Sequence, residues 1–210
     1  MNKKYADYNI IPIGDHCAMP YILKEINLRL KSYPFDWVTK IDHLYDTNIM
    51  YNISLINQLK YDTVEDIVKI YIGDALDCEK KVNKNNNIWF PHDENITNTI
   101  EKYERRFNRL KQDLPKKNIF MLLTRHYYIN KVEFQKIIDT LLSYNNESII
   151  IFISGTNHEY FENIEYKNVY KNVYKNVIFK YIHYDVSQFY NYDYTSFRPN
   201  VKSFLMELLL

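Results

Sequence analysis

The chain has almost no net charge and few cysteines, and each shortage argues against a class of protein. Its 210 residues include 27 basic and 26 acidic side chains, which leave a formal charge of +1. A balance so close to neutral argues against binding to nucleic acid or to a membrane surface through overall charge. Two cysteines, Cys17 and Cys78, are too few for a disulfide framework or a cysteine-rich zinc module.

Long apolar runs and an export signal are also missing. The longest apolar stretch, Ile149 to Ile153, is far shorter than the ~20 residues that cross a bilayer. The first residues, MNKKYAD, lack the apolar stretch of about 7–15 residues that a signal peptide contains. We therefore expect a cytoplasmic protein with reduced thiols and with neither a membrane nor a nucleic acid as partner.

Alternating apolar runs and amphipathic stretches predict an α/β fold. A hydrophobic fraction of 46% supports a sizeable core, and the length is typical of a single domain over residues 1–210. Apolar runs predict buried strands at 8–13, 88–90, 118–124, 148–154 and 176–182. Helical spacing predicts helices over 19–30, 96–115, 132–142 and 199–210, two or three more within 40–72, and a loop over 80–87. This alternation is typical of a central, mostly parallel sheet of about four or five strands flanked by helices.

Glycine is scarce, with three residues in the chain, and two of them follow predicted strands. Gly14 and Gly155 stand where an open α/β sheet turns into its next element and collects its ligands. A tight turn that needs glycine explains both positions equally well.

Cys17 follows Gly14 at the predicted start of the first helix. Unpaired backbone N–H groups and the positive end of the helix dipole favour a thiolate at such a position. Protonated His16 would support ionisation of the thiol, whereas Asp15 would oppose it. A small buried apolar side chain is the alternative role for Cys17, and for Cys78 in its polar loop it is the one that we adopt.

Three histidines are candidate bases for Cys17. His126 and His183 each follow a predicted strand, and His92 follows a short apolar segment and precedes Asp93. Spacing alone does not choose among the three. The sequence has no His-x-x-x-His or Cys-x-x-Cys pair, so we predict no metal site and no cofactor.

Four arginines are candidates for binding an anionic group. Arg105, Arg106 and Arg109 lie in the predicted helix from residue 96, whose apolar stripe leaves them on a flank. They form either a solvated surface paired with glutamates or an anion clamp. Arg125 closes an apolar strand, where its charge needs an acidic partner or a ligand.

Asp36 lies between two large aromatic rings, Phe35 and Trp37. A carboxylate in such company is partly desolvated, so we expect a His or Arg partner for it.

Six short motifs stand out between residues 8 and 155. They are Ile13-Gly-Asp-His-Cys17, Leu28-Arg-Leu30, Ser32-Tyr-Pro-Phe-Asp-Trp37, Phe90-Pro-His-Asp93, Lys102-Tyr-Glu-Arg-Arg-Phe107 and Leu123-Thr-Arg125. Together they resemble a papain-like cysteine peptidase family of unknown function that occurs in bacteria and large DNA viruses. The resemblance implies a thiol nucleophile at Cys17 and His92 as its base, with Asp36 or Asp93 orienting that histidine.

The functional expectation is a cysteine-dependent hydrolase or acyl transferase acting on a peptide, amide or ester. Backbone N–H groups near Gly14 to Ala18 would hold the oxyanion. One alternative is a non-catalytic α/β module that binds an anionic or sugar-like small molecule at the strand ends. Another is an esterase of the Gly-Asp-Ser type with its serine replaced. The residues expected to contact substrate are Gly14, Asp15, His16, Arg105, Arg106 and Arg125, and the oligomeric state is left open.

Overall fold

The structure is a computed structural model that describes most of the chain. The described residues are 5–14, 17–36, 38–40, 47–72, 76–77, 82–83, 88–90, 96–125, 128–156, 175–185 and 193–210. The strands are β1 (Asn9–Gly14), β2 (Thr39–Lys40), β3 (Leu76–Asp77), β4 (Val82–Asn83), β5 (Ile88–Trp89), β6 (Asn118–Thr124), β7 (Ile149–Ser154) and β8 (Val177–Tyr181). The helices are α1 (Ala18–Glu25), α2 (Thr47–Gln58), α3 (Val64–Tyr71), α4 (Ile96–Asp113), α5 (Lys131–Leu142) and α6 (Arg198–Leu209), and a π-helical turn, Asp193–Phe197, leads into α6.

Four parallel strands form the central sheet, in the order β1, β6, β7, β8. Gly14 is opposite Leu123 in the register of β1 and β6, and Ser154 of β7 is opposite Thr124 on one side. All four strands therefore end at one edge of the sheet, which we call the carboxyl edge. The predicted α/β fold with a parallel sheet is confirmed.

Helices cover both faces of this sheet because its two central strands are apolar on both sides. All seven residues of β6 and all six of β7 are buried. Residues 119, 121 and 123 of β6 pack against α1 and α6, whereas 120 and 122 pack against the helices of the opposite face, which are α2 to α5. Continuous apolar runs of this kind are the expected sequence of a strand enclosed on both faces.

A second, smaller sheet was only partly predicted. Four strands of two residues each pair antiparallel in the order β2, β5, β4, β3. The predicted segment at 88–90 supplies β5, but the loop predicted over 80–87 contains β4. Two-residue strands are too short to show the period-two alternation from which a strand is predicted.

The first helix is shorter than its apolar stripe predicts. The stripe extends to Leu30, but α1 ends at Glu25, and Leu30 is exposed. Asn27 adopts a left-handed conformation with φ of 55°, and the N–H groups of Leu28 and Arg29 both donate to the Leu23 carbonyl. A left-handed asparagine just past the last turn is a common end of a helix.

The other long helices and strands agree with their predicted positions to within two residues at each described end. Asn130 caps α5, since its Oδ1 accepts hydrogen bonds from the N–H groups of Val132 and Glu133. Asn118 follows α4, and its Nδ2 donates to the carbonyls of Asp113, Leu114 and Lys116. Across the described segments, no helix is long and apolar enough to cross a membrane.

Candidate functional site

Cys17 is the N-cap residue of α1 and lies just beyond the end of β1 at the carboxyl edge. The side chain is half-buried, and the Cys17 carbonyl accepts the N–H of Tyr21 at 3.2 Å. Pro20 in the first turn has no N–H, so Ala18 and Met19 carry the N–H groups of that turn that lack an intrahelical acceptor. The predicted place of Cys17 at the start of a helix is confirmed. Asp15 and His16 lie outside the described residues.

Asn52 holds the strand end that precedes Cys17. Its Nδ2 donates to the Gly14 carbonyl at 3.2 Å, so α2 is tied to the backbone from which the Cys17 turn begins. Asn52 is fully buried, and its Oδ1 has no hydrogen-bond partner among the described residues. Sequence reasoning missed this residue. The available signal was a polar side chain on the apolar face of a helix, between the buried Ile49 and Ile53.

Arg125 and Gly155 come together on the same edge. Arg125 is buried, and its guanidinium carbon lies 5.9 Å from the centre of the Tyr184 ring. The Gly155 N–H donates to the Thr124 carbonyl at 2.8 Å. A Cβ at Gly155 would overlap the Arg125 carbonyl oxygen and would stand 2.6 Å from the Tyr184 Cβ. Glycine is therefore required here by the close approach of its neighbours.

The strand order separates His183 from Cys17. His183 is exposed, and its Nδ1 lies 3.1 Å from the Tyr181 hydroxyl. It follows β8, which is three strand spacings from β1, or about 14 Å at ~4.8 Å per spacing. This separation argues against His183 as the base of Cys17. The other two candidates, His92 and His126, lie outside the described residues, as does Asp93.

Asp36 forms a buried ion pair with Arg29. Its Oδ2 accepts the Nη2 of Arg29 at 2.7 Å, the Nε at 3.2 Å, and the N–H of Tyr33 at 3.1 Å. Burial raises the pKa of the Asp36 carboxyl above its ordinary value, while the hydrogen bonds and charge of Arg29 oppose that rise. The expected His or Arg partner is thus Arg29. The orientation of a histidine by Asp36 stays a prediction.

Asp113 anchors residues 31–36, the segment after α1 that carries Asp36. Its carboxylate accepts hydrogen bonds from Lys116, Lys31 and the Tyr33 hydroxyl, at 2.7, 2.7 and 2.9 Å. Burial acts to raise the pKa of Asp113, but these three bonds and the charge of Lys31 outweigh it and lower the pKa below its ordinary value. Since Lys31 also donates to Asn9 in β1, the segment begins beside the amino ends of the strands.

The arginines of α4 do not share one flank, which corrects the sequence prediction. Arg105 is exposed, whereas Arg106 is buried with its guanidinium carbon 5.2 Å from the centre of the Tyr103 ring. The Arg106 charge also acts to lower the pKa of Asp36. The nearby carboxylate and aromatic ring explain why this arginine is buried beside the apolar stripe. Arg109 donates to the Ser32 carbonyl at 2.5 Å.

The fold and the site together define a class of protein. It is an α/β protein in which a cysteine, here Cys17, begins the helix after the first strand of a parallel sheet. Residues 8–154 match the family described as "Putative papain-like cysteine peptidase (DUF1796)". The chain belongs to this family, and the resemblance inferred from its motifs is confirmed. No curated protein and no solved structure matches the chain.

Proposed function

We propose that the protein is a cysteine-dependent hydrolase or acyl transferase that acts on a peptide, amide or ester through Cys17. The observation that carries the proposal is the place of Cys17, half-buried at the N-terminus of α1 and on the carboxyl edge of a parallel sheet. Ligands of open α/β sheets bind at that edge, and a helix N-terminus favours the thiolate form of cysteine. Membership of a family described by peptidase activity supports the same chemistry.

In the proposed reaction, the Cys17 sulfur attacks the substrate carbonyl carbon. A sulfur–carbon bond forms, and the π pair of the carbonyl moves onto its oxygen. Backbone N–H groups of the turn from Gly14 to Ala18 hold this oxyanion, and Ala18 supplies a donor without an intrahelical acceptor. His92 takes the thiol proton and returns it to the leaving nitrogen or oxygen as the bond to the acyl carbon breaks.

The resulting thioester is then resolved by a second nucleophile. His92 takes a proton from water as the water oxygen adds to the thioester carbon, the sulfur leaves with its bonding pair, and His92 gives that proton to the sulfur, so that the thiol and the free acid form. An amine or alcohol in place of water gives acyl transfer. We assign Asp36 or Asp93 to the orientation of His92, as the family resemblance implies.

Among the proposed substrate-binding residues, Arg125 is the best placed. It follows β6, the neighbour of β1 in the sheet, so it lies on the edge that carries Cys17. The Arg125 guanidinium would hold a carboxylate or phosphate of the substrate. Gly14, Asp15 and His16 precede Cys17 and complete the proposed substrate contacts, and Arg105 is available from its exposed position on α4. Arg106 is the least accessible of the set because it is buried against Tyr103.

A second candidate function is the binding of an anionic or sugar-like small molecule without turnover. The buried Arg125 beside the close contact of Gly155 and Tyr184 favours it, since its guanidinium would hold an anionic group without any part for the thiol. The two candidates differ in one respect. A binding module shows no turnover even as the wild type and keeps its ligand affinity in C17A, whereas a hydrolase turns its substrate over and loses that turnover in C17A.

The proposal is tested by the alkylation of the two cysteines with iodoacetamide, followed by mass spectrometry as a function of pH. We expect Cys17 to react roughly tenfold faster than Cys78 at neutral pH, because a thiolate at a helix N-terminus persists below the ordinary thiol pKa of about 8.5. Hydrolysis of a mixed peptide library by the wild type, and its loss in C17A, is the matching test of turnover. Equal rates for the two cysteines with an ordinary thiol pH profile would refute the proposal.

The choice of base is tested in the same assay. We expect H92A to slow the alkylation of Cys17 and to move its pH profile upward, because the imidazole assists removal of the thiol proton. H126A is the matched control, since His126 follows the strand beside β1 and is the alternative base. If H126A and not H92A changes the profile, the base is His126.

A further inference from the structure

Helices α1 and α6 lie side by side with their residues in register. Glu25 of α1 forms an ion pair with Lys202 of α6 at 3.1 Å. One turn earlier on both helices, the Arg198 guanidinium carbon lies 5.8 Å from the centre of the Tyr21 ring. Matched contacts at four-residue intervals on both helices show that α1 and α6 run parallel. Because the two helices run parallel, the residues that precede Arg198, Tyr194 among them, lie toward the Cys17 end of α1.

The helical geometry of α1 brings Tyr21 close to Cys17. The Cys17 carbonyl accepts the Tyr21 N–H, so Cys17 belongs to the first turn of α1. Residues four apart on one helix face have Cβ atoms about 5–6 Å apart, which sets Tyr21 next to Cys17. Tyr194 belongs to the π-helical turn that runs without a break into α6.

Tyr21, Arg198 and Tyr194 form a stack, which we call the tyrosine shelf. The Arg198 guanidinium carbon lies 4.3 Å from the centre of the Tyr194 ring, and Arg198 itself is buried. The two tyrosines are 43% and 61% exposed, so much of their surface remains open to solvent. An arginine held between two rings restricts the motion of both, which reduces the ordering cost when another group stacks on them.

We propose that the tyrosine shelf binds an aromatic side chain of a peptide substrate close to the acyl group that Cys17 attacks. This inference rests on the proposed function, since it takes Cys17 as the reacting group. Exposed aromatic rings beside a nucleophile favour an aromatic partner, because ring pairs gain more than the burial of their area alone. Tyr194, the more exposed of the two rings, is the principal contact.

The test compares two thiol-directed probes that differ only in one side chain, N-acetyl-phenylalanyl and N-acetyl-alanyl chloromethyl ketone. We expect wild-type Cys17 to react with the phenylalanyl probe about tenfold faster than with the alanyl probe. The iodoacetamide rate of each variant reports separately whether its Cys17 thiol keeps its reactivity. In Y194A this ratio should fall about fivefold, and Y194F should restore it because the ring is retained. Y61A is the matched control, since Tyr61 is an exposed tyrosine in the turn after α2.

A second measurement separates this inference from the proposed function. N-acetyl-phenylalanine amide and N-acetyl-alanine amide are titrated into C17A and into C17A/Y194A, and binding is followed by NMR. We expect preferential binding of the phenylalanine amide to C17A and its loss in the double variant. A wild-type probe ratio near one, or a ratio and binding unaffected by Y194A, would overturn the inference while Cys17 remains the nucleophile. Slow iodoacetamide labelling together with retained phenylalanine binding would instead refute the proposed function and leave the tyrosine shelf as an aromatic binding site without a reacting thiol.

Discussion

Removal of the Arg29 side chain should destabilise the protein through Asp36. Asp36 is fully buried, and Arg29 gives its Oδ2 two hydrogen bonds at 2.7 and 3.2 Å. Methionine at position 29 keeps the apolar stem of the arginine but removes its charge and all its donors. The Asp36 carboxylate would then keep the Tyr33 N–H as its hydrogen-bond donor among the described residues.

The expected cost follows from the burial of the pair. Breaking a buried ion pair by removing one partner costs about 3–5 kcal/mol, because the remaining charge stays desolvated. Arg29 is 16% exposed at its side chain, so water reaches part of the site, and we expect the lower end of this range, about 3 kcal/mol. For a chain of this size, that corresponds to a fall of roughly 6–12 °C in Tm.

The cost of R29M should depend on pH with a definite sign. The folded-state pKa of Asp36 is raised above its ordinary value of 3.8, so Asp36 contributes stability below that pH and loses it as the pH rises. Arg29 opposes the raised pKa, and R29M therefore moves it further upward. The destabilisation should be largest near neutral pH and should shrink as the pH falls below the raised folded-state pKa, because the carboxyl is then protonated in the folded state of both proteins.

Urea denaturation followed by circular dichroism, at about pH 7 and about pH 4, measures both effects. K69A is the control, since Lys69 and Glu65 form an exposed i,i+4 pair whose loss should change the free energy of unfolding by at most about 0.5 kcal/mol. Adding D36N to R29M should recover most of the loss. A cost for R29M as small as that of K69A, or one that does not shrink with falling pH, would contradict this account of the pair.

Two further predictions concern the carboxyl edge and the anchor of the Asp36 segment. G155A should lower the free energy of unfolding by about 2–3 kcal/mol in urea denaturation, because its new methyl group overlaps the Arg125 carbonyl and the Tyr184 side chain. An unchanged free energy of unfolding would mean that the turn at Gly155 shifts freely. D113N should cost about 1–2 kcal/mol at neutral pH, because two lysines and a tyrosine bond the carboxylate. The lowered pKa of Asp113 gives stability that is lost as the pH falls below 3.8, so this cost should fade there, and a cost independent of pH would count against the ion pairs.

Local patterns were enough to predict the elements of the main sheet. The apolar run over 118–124 coincides with β6 because a strand enclosed on both faces must be apolar at every position. The place of Cys17 followed in the same way, from a strand, a glycine and an amphipathic helix in succession. Such features depend on residues that are neighbours along the chain, so they leave a mark in the sequence.

The partners of charged and polar side chains were harder to predict. The sequence analysis placed Arg106 on the same flank as Arg105 and Arg109, yet it is buried beside Tyr103, where its charge acts on the Asp36 carboxyl. Asn52 was overlooked because its acceptor, the Gly14 carbonyl, lies 38 residues away. The Asn52 contact depends on how α2 packs against β1, and the nearness of Arg106 to Asp36 depends on how α4 packs against the segment after α1.

The sequence by itself determined the α/β class, the family and the candidate nucleophile, since each depends on runs and motifs of neighbouring residues. The tertiary structure alone decided that β6 lies beside β1, so that Arg125 shares an edge with Cys17 while His183 is distant. It alone also decided that α6 runs parallel to α1, with Arg198 beside Tyr21 one turn from Cys17. Burial is encoded locally by side-chain polarity, whereas proximity between distant residues arises only when whole strands and helices pack.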